Sequence, residues 1–193
     1  MKLLKGLLLI GLLKIILIAI NACSDKSFYY KWEDIFIDNL SNHEITSDNS
    51  MSQSNFGMRV NIINTKSDAA QLYIPAPISS AYAGIKFGTN YYNIDNLKKL
   101  NILLLTTVND RENLQIVTDM FVPEKYDVDD LAKFPIDQLI EQINEVKFEP
   151  VEHFDLFLNE SFEENITGRF IIQLELSDDR ILSDTTQLID LTL

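Results

Sequence analysis

The final stretch of the chain, RFIIQLELSDDRILSDTTQLIDLTL from Arg169 to Leu193, alternates with period two. Phe170, Ile172, Leu174 and Leu176 fall on one parity, against Ile171, Gln173 and Glu175 on the other. Successive side chains of a strand point to opposite faces, so such a run fits a β-strand with one buried face and cannot supply the apolar stripe of a helix. Ser177–Arg180, SDDR, then places turn-forming residues between two extended runs, which predicts a terminal hairpin. FEPVEHFDLFLN repeats the pattern just upstream, with Phe154, Leu156 and Leu158 on one face and His153, Asp155 and Phe157 on the other.

The same signal recurs earlier. FYYKWEDIFIDNL, Phe28–Leu40, puts Tyr30, Trp32 and Phe36 on one parity and Ile35 and Ile37 on the other, a strand covered on both faces toward its end. A polar run at 41–55 reads as a loop. FGMRVNIINT predicts a strand burying Phe56, Met58, Val60 and Ile62, with Arg59 and Asn61 facing away. Pro75 and Pro77 end any strand before them or confine it to an edge, and Tyr82–Phe87 resumes extended structure. Leu100–Val108 is almost continuously apolar or β-branched, as a central strand buried on both faces would be. The spacing of Ile136, Leu139, Ile140, Ile143 and Val146 predicts one amphipathic helix over about 135–146, with a further helical turn near Asp129–Lys133. Seven or so strands with one inserted helix point to a mainly β fold, an immunoglobulin-like or related β-sandwich.

Ahead of the β-rich region lies MKLLKGLLLIGLLKIILIAINA, residues 1–22, with three lysines and no acid. Its apolar stretch is interrupted by Lys14, and a spanning helix needs roughly 20 apolar residues, so a removable secretory signal is expected. It ends in Ile20, Asn21, Ala22 and Cys23, which resembles the lipobox of bacterial lipoproteins. Ala22 offers a small residue to the signal peptidase and Cys23 the thiol that takes up diacylglycerol; Asn21 departs from the usual small or aliphatic residue. The resemblance implies an acylated Cys23; the polar SDKS run makes 23–27 a tether, and the remaining length fits one domain over 28–193. Each buried methylene of an acyl chain contributes about 0.8 kcal/mol, so two or more chains anchor a protein stably. Cys23 is also the only cysteine, so the body must hold together without a disulfide. Ser24 is not the aspartate that retains some lipoproteins at the inner membrane, which leans toward the outer membrane of a Gram-negative envelope.

Removing the leader takes away three of 16 Lys and Arg and none of 29 Asp and Glu, leaving 13 against 29 and a formal charge of −16. Such acidity disfavours nucleic acid, a like-charged polyanion. The aromatic opening after Cys23, the strand LNILLLTTVND, the short helix and the closing alternation together resemble small lipoproteins of Bacteroidota built on domains of unknown function. That resemblance implies an envelope lipoprotein and brings no activity with it.

The sequence offers little to catalysis. His43 and His153, the only histidines, lack the further ligands of a zinc site. His153 and Asp155 share a strand face without a nucleophile beside them, and read as part of a solvent-facing polar row. Only Gly57, Gly84, Gly88 and Gly168 follow the leader, too few and too scattered for a phosphate-cradling loop. The acidic runs at Asp127–Asp130 and Ser161–Asn165 keep a carboxylate-dependent glycan hydrolase as the alternative, and no metal or cofactor is expected. Tyr91 and Tyr92, in GTNYYNIDN between turn-like segments, are the candidate ligand contacts. The expectation is a non-catalytic binding or scaffold module, tied to the bilayer through acylated Cys23 and meeting an envelope protein or glycan by its loops or a sheet edge. A subunit of an envelope assembly, marked by an exposed apolar patch, is the further possibility.

Overall fold

Residues 26–66, 89–108, 111–123, 134–145 and 150–193 are described by the computed structural model of the chain. In chain order the strands are β1 (Lys26–Ser41), β2 (Glu44–Ile45), β3 (Ser50–Ser52), β4 (Phe56–Lys66), β5 (Thr89–Asn93), β6 (Leu97–Val108), β7 (Arg111–Ile116), β8 (Phe121–Pro123), β9 (His153–Leu158), β10 (Ile166–Leu176), β11 (Ile181–Thr185) and β12 (Ile189–Thr192). Among the described residues one α-helix, α1 (Ile136–Glu145), precedes β9. The first sheet runs β2-β1-β4-β9-β8 with β5 also against β1; the second runs β3-β12-β10-β6-β7 with β11 also against β10. Pairing is antiparallel except for β1 with β5 and β12 with β3. The expected mainly β sandwich with one short helix is what forms, its alternation resolved into more and shorter strands than the sequence suggested.

The alternation explains the packing. Phe56, Met58, Val60 and Ile62 of β4 and Phe154, Leu156 and Leu158 of β9 are buried. They meet Leu100, Ile102 and Leu104 of β6 and Phe170, Ile172, Leu174 and Leu176 of β10 in one contiguous core. At its centre the rings of Phe56, Phe121 and Phe170 pack with centroids 5.0 to 6.1 Å apart. Each such side chain, fully buried, contributes about 1.5–3 kcal/mol. α1 adds Leu139 and Ile143 to this core, and partly buried Ile136 and Ile140 pack beside them. Asn144, near its end, accepts from Leu97 N–H through Oδ1 at 2.8 Å and donates to Leu97 C=O at 3.0 Å, as a neighbouring strand would.

Three readings of the sequence need correction. In β1, Trp32 is wholly buried with Ile35, while Phe36 is exposed. The register against β4 slips between Trp32, opposite Asn64, and Asp34, opposite Ile63. Glu33 is the extra residue of a β-bulge, and it turns Trp32, Ile35 and Ile37 to the same face although their spacing is odd. In the polar run 41–55, β2, β3 and a 3-10 turn at Gln53–Asn55 replace the expected loop. Gln53, buried, accepts from Phe162 N–H and donates to Glu164 C=O, fastening the loop before β10. Finally, β6 is next to the end of its sheet and not central: Leu103 and Leu105 are only half-buried. The helical turn near 129–133 and the extended run at 82–87 lie outside the described residues.

Candidate interaction surface

An open sheet ends in a strand whose outward N–H and C=O groups need partners, and proteins guard such edges because they template pairing with other chains. The long edge of β1 is guarded piece by piece. β5 covers its start, and Ile94 N–H donates to Tyr30 C=O at 2.9 Å. Beyond that point Asp95, 3 % exposed, accepts from Trp32 N–H through Oδ2 at 2.7 Å. Arg180, from the β10–β11 turn, donates through Nη1 to Trp32 C=O at 2.7 Å, and its Nη2 lies 2.7 Å from Asp95 Oδ1. One carboxylate and one guanidinium thus stand in for a strand at the bulge. Asp178 hydrogen-bonds the same guanidinium and holds it firmly protonated.

Farther along, Asp34 Oδ1 accepts from Ile35 N–H, and Asp184 Oδ2, reaching from β11 of the other sheet, accepts from Ile37 N–H, both at 2.9 Å. β2 then resumes the pairing from Leu40. In the second sheet Thr186 bridges the gap between β11 and β12, accepting from Phe170 N–H and donating its own N–H to Phe170 C=O, each at 2.9 Å. β8, the end strand of the first sheet, is three residues long and closes on Pro123.

β7 is different. It is the end strand of the second sheet, and all six of its residues are exposed. Val117 N–H donates to Ile102 C=O at 2.8 Å, in the register that pairs Leu103 with Ile116 and Leu105 with Leu114. In an antiparallel ladder hydrogen-bonded and non-hydrogen-bonded pairs alternate, so Glu112, Leu114 and Ile116 direct their N–H and C=O groups away from β6. No described residue hydrogen-bonds to them there. Their side chains share the sheet's outer face, where Ile171, Leu103 and Ile116 form one cross-strand row and Arg169, Leu105 and Leu114 the next. Leu114 is 55 % and Ile116 69 % exposed. One wholly apolar row, and a second that begins at Arg169 and continues through Leu105 and Leu114, therefore run out to an edge that no described residue covers.

The outer face of the first sheet also exposes Phe36 and Ile63, but over β4 and β9 it is covered by a polar and aromatic cluster. Arg59 makes a two-pronged ion pair with Asp155 across β4 and β9, Nε to Oδ1 and Nη2 to Oδ2 at 2.8 Å each. Asp155 is 2 % exposed, so it belongs to no solvent-facing row. The partner is Arg59, which alternation had already placed on that face. His153 stays exposed, its pKa lowered by partial desolvation and by the Arg59 charge. Next to this pair the Phe157 ring lies over Gly57, where a Cβ would sit 2.6 Å from Phe157 Cδ1, and the His43 ring stacks on Phe157 at 4.5 Å. Among the described residues no three or more His, Cys, Asp and Glu gather as metal ligands.

Of the residues singled out from sequence, Ile20, Asn21, Ala22 and Cys23 lie outside the described residues. Tyr91 and Tyr92 fall within β5, opposite Phe28 and Tyr29 of β1; their side chains and the segment before β5 are outside the described residues. Asp127–Asp130 is outside it as well, while Glu163 and Glu164 are exposed in the loop before β10. Leu114 and Ile116 were not anticipated. The signal was present in Asn109-Asp110, a turn-forming pair directly after an apolar run, followed by apolar residues two apart. Comparison with protein-family models, with curated proteins and with solved structures finds no match to any of them.

Proposed function

We propose that the chain is a lipid-anchored protein of the cell envelope that works as a binding or scaffold module, and that its working surface is the β7 edge with the adjoining apolar rows. The lipobox-like Ile20–Cys23 supports the anchoring. The observation that carries the binding role is the contrast in edges: the molecule commits Asp95, Arg180, Asp34, Asp184 and Thr186 to closing two strand edges, and leaves Leu114 and Ile116 on a third. An exposed, apolar, hydrogen-bonding edge is a liability for a protein with no use for it, and a ready site for strand addition in one that has.

Two measurements test this reading. Cys23→Ser abolishes lipid labelling and releases the protein from the membrane fraction; retention at the wild-type level contradicts the anchor. A photoreactive phenylalanine analogue at position 116 gives a cross-linked species of defined mass in intact cells, whereas the same group at exposed Glu163 does not. Absence of any adduct specific to position 116 contradicts the binding surface.

A further inference from the structure

We propose that the occupant of the β7 edge is β7 of a second copy of this chain, the two sheets joining antiparallel about a two-fold axis through Gln115. This rests on the reading of β7 as the working surface and names its partner.

The edge is its own complement. Only Glu112, Leu114 and Ile116 present hydrogen-bonding groups outward, so hydrogen-bonded pairs across a two-fold must be drawn from these three. With the axis at Gln115, Leu114 of each copy faces Ile116 of the other, and four backbone hydrogen bonds form between them. The side-chain rows then continue without a break. Ile171, Leu103 and Ile116 of one copy meet Leu114 and Leu105 of the other, the row ending at Arg169, and symmetry repeats it. Apolar cross-strand neighbours of this kind stabilise a sheet in their own right. Axes at Leu114 or Asn113 instead set Glu112 against Ile116 or Leu114, breaking the rows with a carboxylate.

Charge points to the same occupant. The chain carries a formal charge of −13, so two copies repel over most of their surface. β7 holds one Arg and one Glu and is neutral. In the Gln115 register the start of one strand, at Arg111, falls beside the 3-10 turn Thr118–Met120 that follows β7 in the other, which brings Asp119 toward Arg111 at both ends. Long-range repulsion is screened beyond about 8 Å at physiological salt, so the edge contact decides.

Cross-linking and sedimentation of the full-length chain test the pairing. Gln115→Cys places two thiols at a non-hydrogen-bonded pair on the axis, where a disulfide can close under a mild added oxidant. Asn113→Cys sets the thiols several residues apart across the same axis. The expected result is a covalent dimer with Gln115→Cys and none with Asn113→Cys or with wild type, which carries only Cys23. Sedimentation shows a concentration-dependent dimer whose Kd rises at least about tenfold in Leu114→Lys, equivalent to about 1.4 kcal/mol. A chain that stays monomeric through millimolar concentration, or that cross-links equally at both positions, overturns the proposal. If the position-116 photoadduct then has the mass of a different protein, self-pairing fails and the binding surface stands; if there is no adduct at all, both fail.

Discussion

Along β1 six of the backbone groups that point away from β4 are met: Tyr30 C=O by Ile94, Trp32 N–H by Asp95 and its C=O by Arg180, Ile35 N–H by Asp34, Ile37 N–H by Asp184 and Asn39 C=O by Thr46, all at 2.7 to 3.0 Å. Along β7 the equivalent groups of Glu112, Leu114 and Ile116 meet no described residue. β7 ends its sheet and β1 is left uncovered between β5 and β2, yet that gap in β1 is closed by charged side chains from three parts of the chain and β7 displays apolar residues. The difference lies in what the neighbouring loops carry. Acidic side chains at β1 do double duty, since a carboxylate satisfies a strand N–H and also repels an approaching strand of another acidic chain.

Removing a closure breaks the β1 side of this comparison most strongly at Asp95. Asp95→Ala leaves Trp32 N–H without its acceptor and removes one of the two carboxylates on the Arg180 guanidinium, and it should lower the unfolding free energy in urea by about 2–3 kcal/mol. A loss within error would mean that the clasp closes nothing. Thr186→Val, which keeps the shape but removes the acceptor for Phe170 N–H, should cost about 1–2 kcal/mol in the same titration. Asp184→Ala, at half-buried Ile37 N–H, should cost about 1 kcal/mol. On the β7 side, Leu114→Lys should change the stability of the dilute protein by less than about 0.5 kcal/mol, because Leu114 is already in solvent. A large loss there would show that β7 is structurally covered and the contrast false.

The smallest effect comes from His153. Its folded pKa lies below the ordinary value, so the unfolded chain binds the proton more readily and stability falls as pH drops from about 6.5 toward the lower folded value. His153→Gln should flatten that segment of a stability-against-pH curve; an unchanged slope would remove the Arg59 charge and desolvation as its cause.

What the sequence made legible follows the reach of each signal. Period two located β4, β9 and β10 and their buried faces, because each strand buries one side against a single core, while β6 showed as a continuous apolar run that hid which face is buried. The period of Ile136, Leu139, Ile140 and Ile143 located α1. The bulge at Glu33 was not legible, since one inserted residue in β1 shows only against its partner β4. Strand order was equally hidden, and with it the place of β6 beside an end strand. Asp155 read as solvent-facing because alternation gives the face of a residue and says nothing of what covers it; the burial comes with Arg59 on the neighbouring strand. Asp95 and Arg180 are 85 residues apart in the chain, and nothing local marks them as partners. The candidate surface had a local sign in Asn109-Asp110, but its openness depends on which strand lies last.

Amide hydrogen exchange on the full-length chain, followed residue by residue from dilute to concentrated solution, tests the contrast most directly. The account predicts slow exchange at Trp32, Ile35 and Ile37 at every concentration. It predicts fast exchange at Leu114 and Ile116 in dilute solution, slowing as the protein is concentrated. Protection of Leu114 and Ile116 in the dilute monomer, or exchange at Trp32 as fast as theirs, would contradict it.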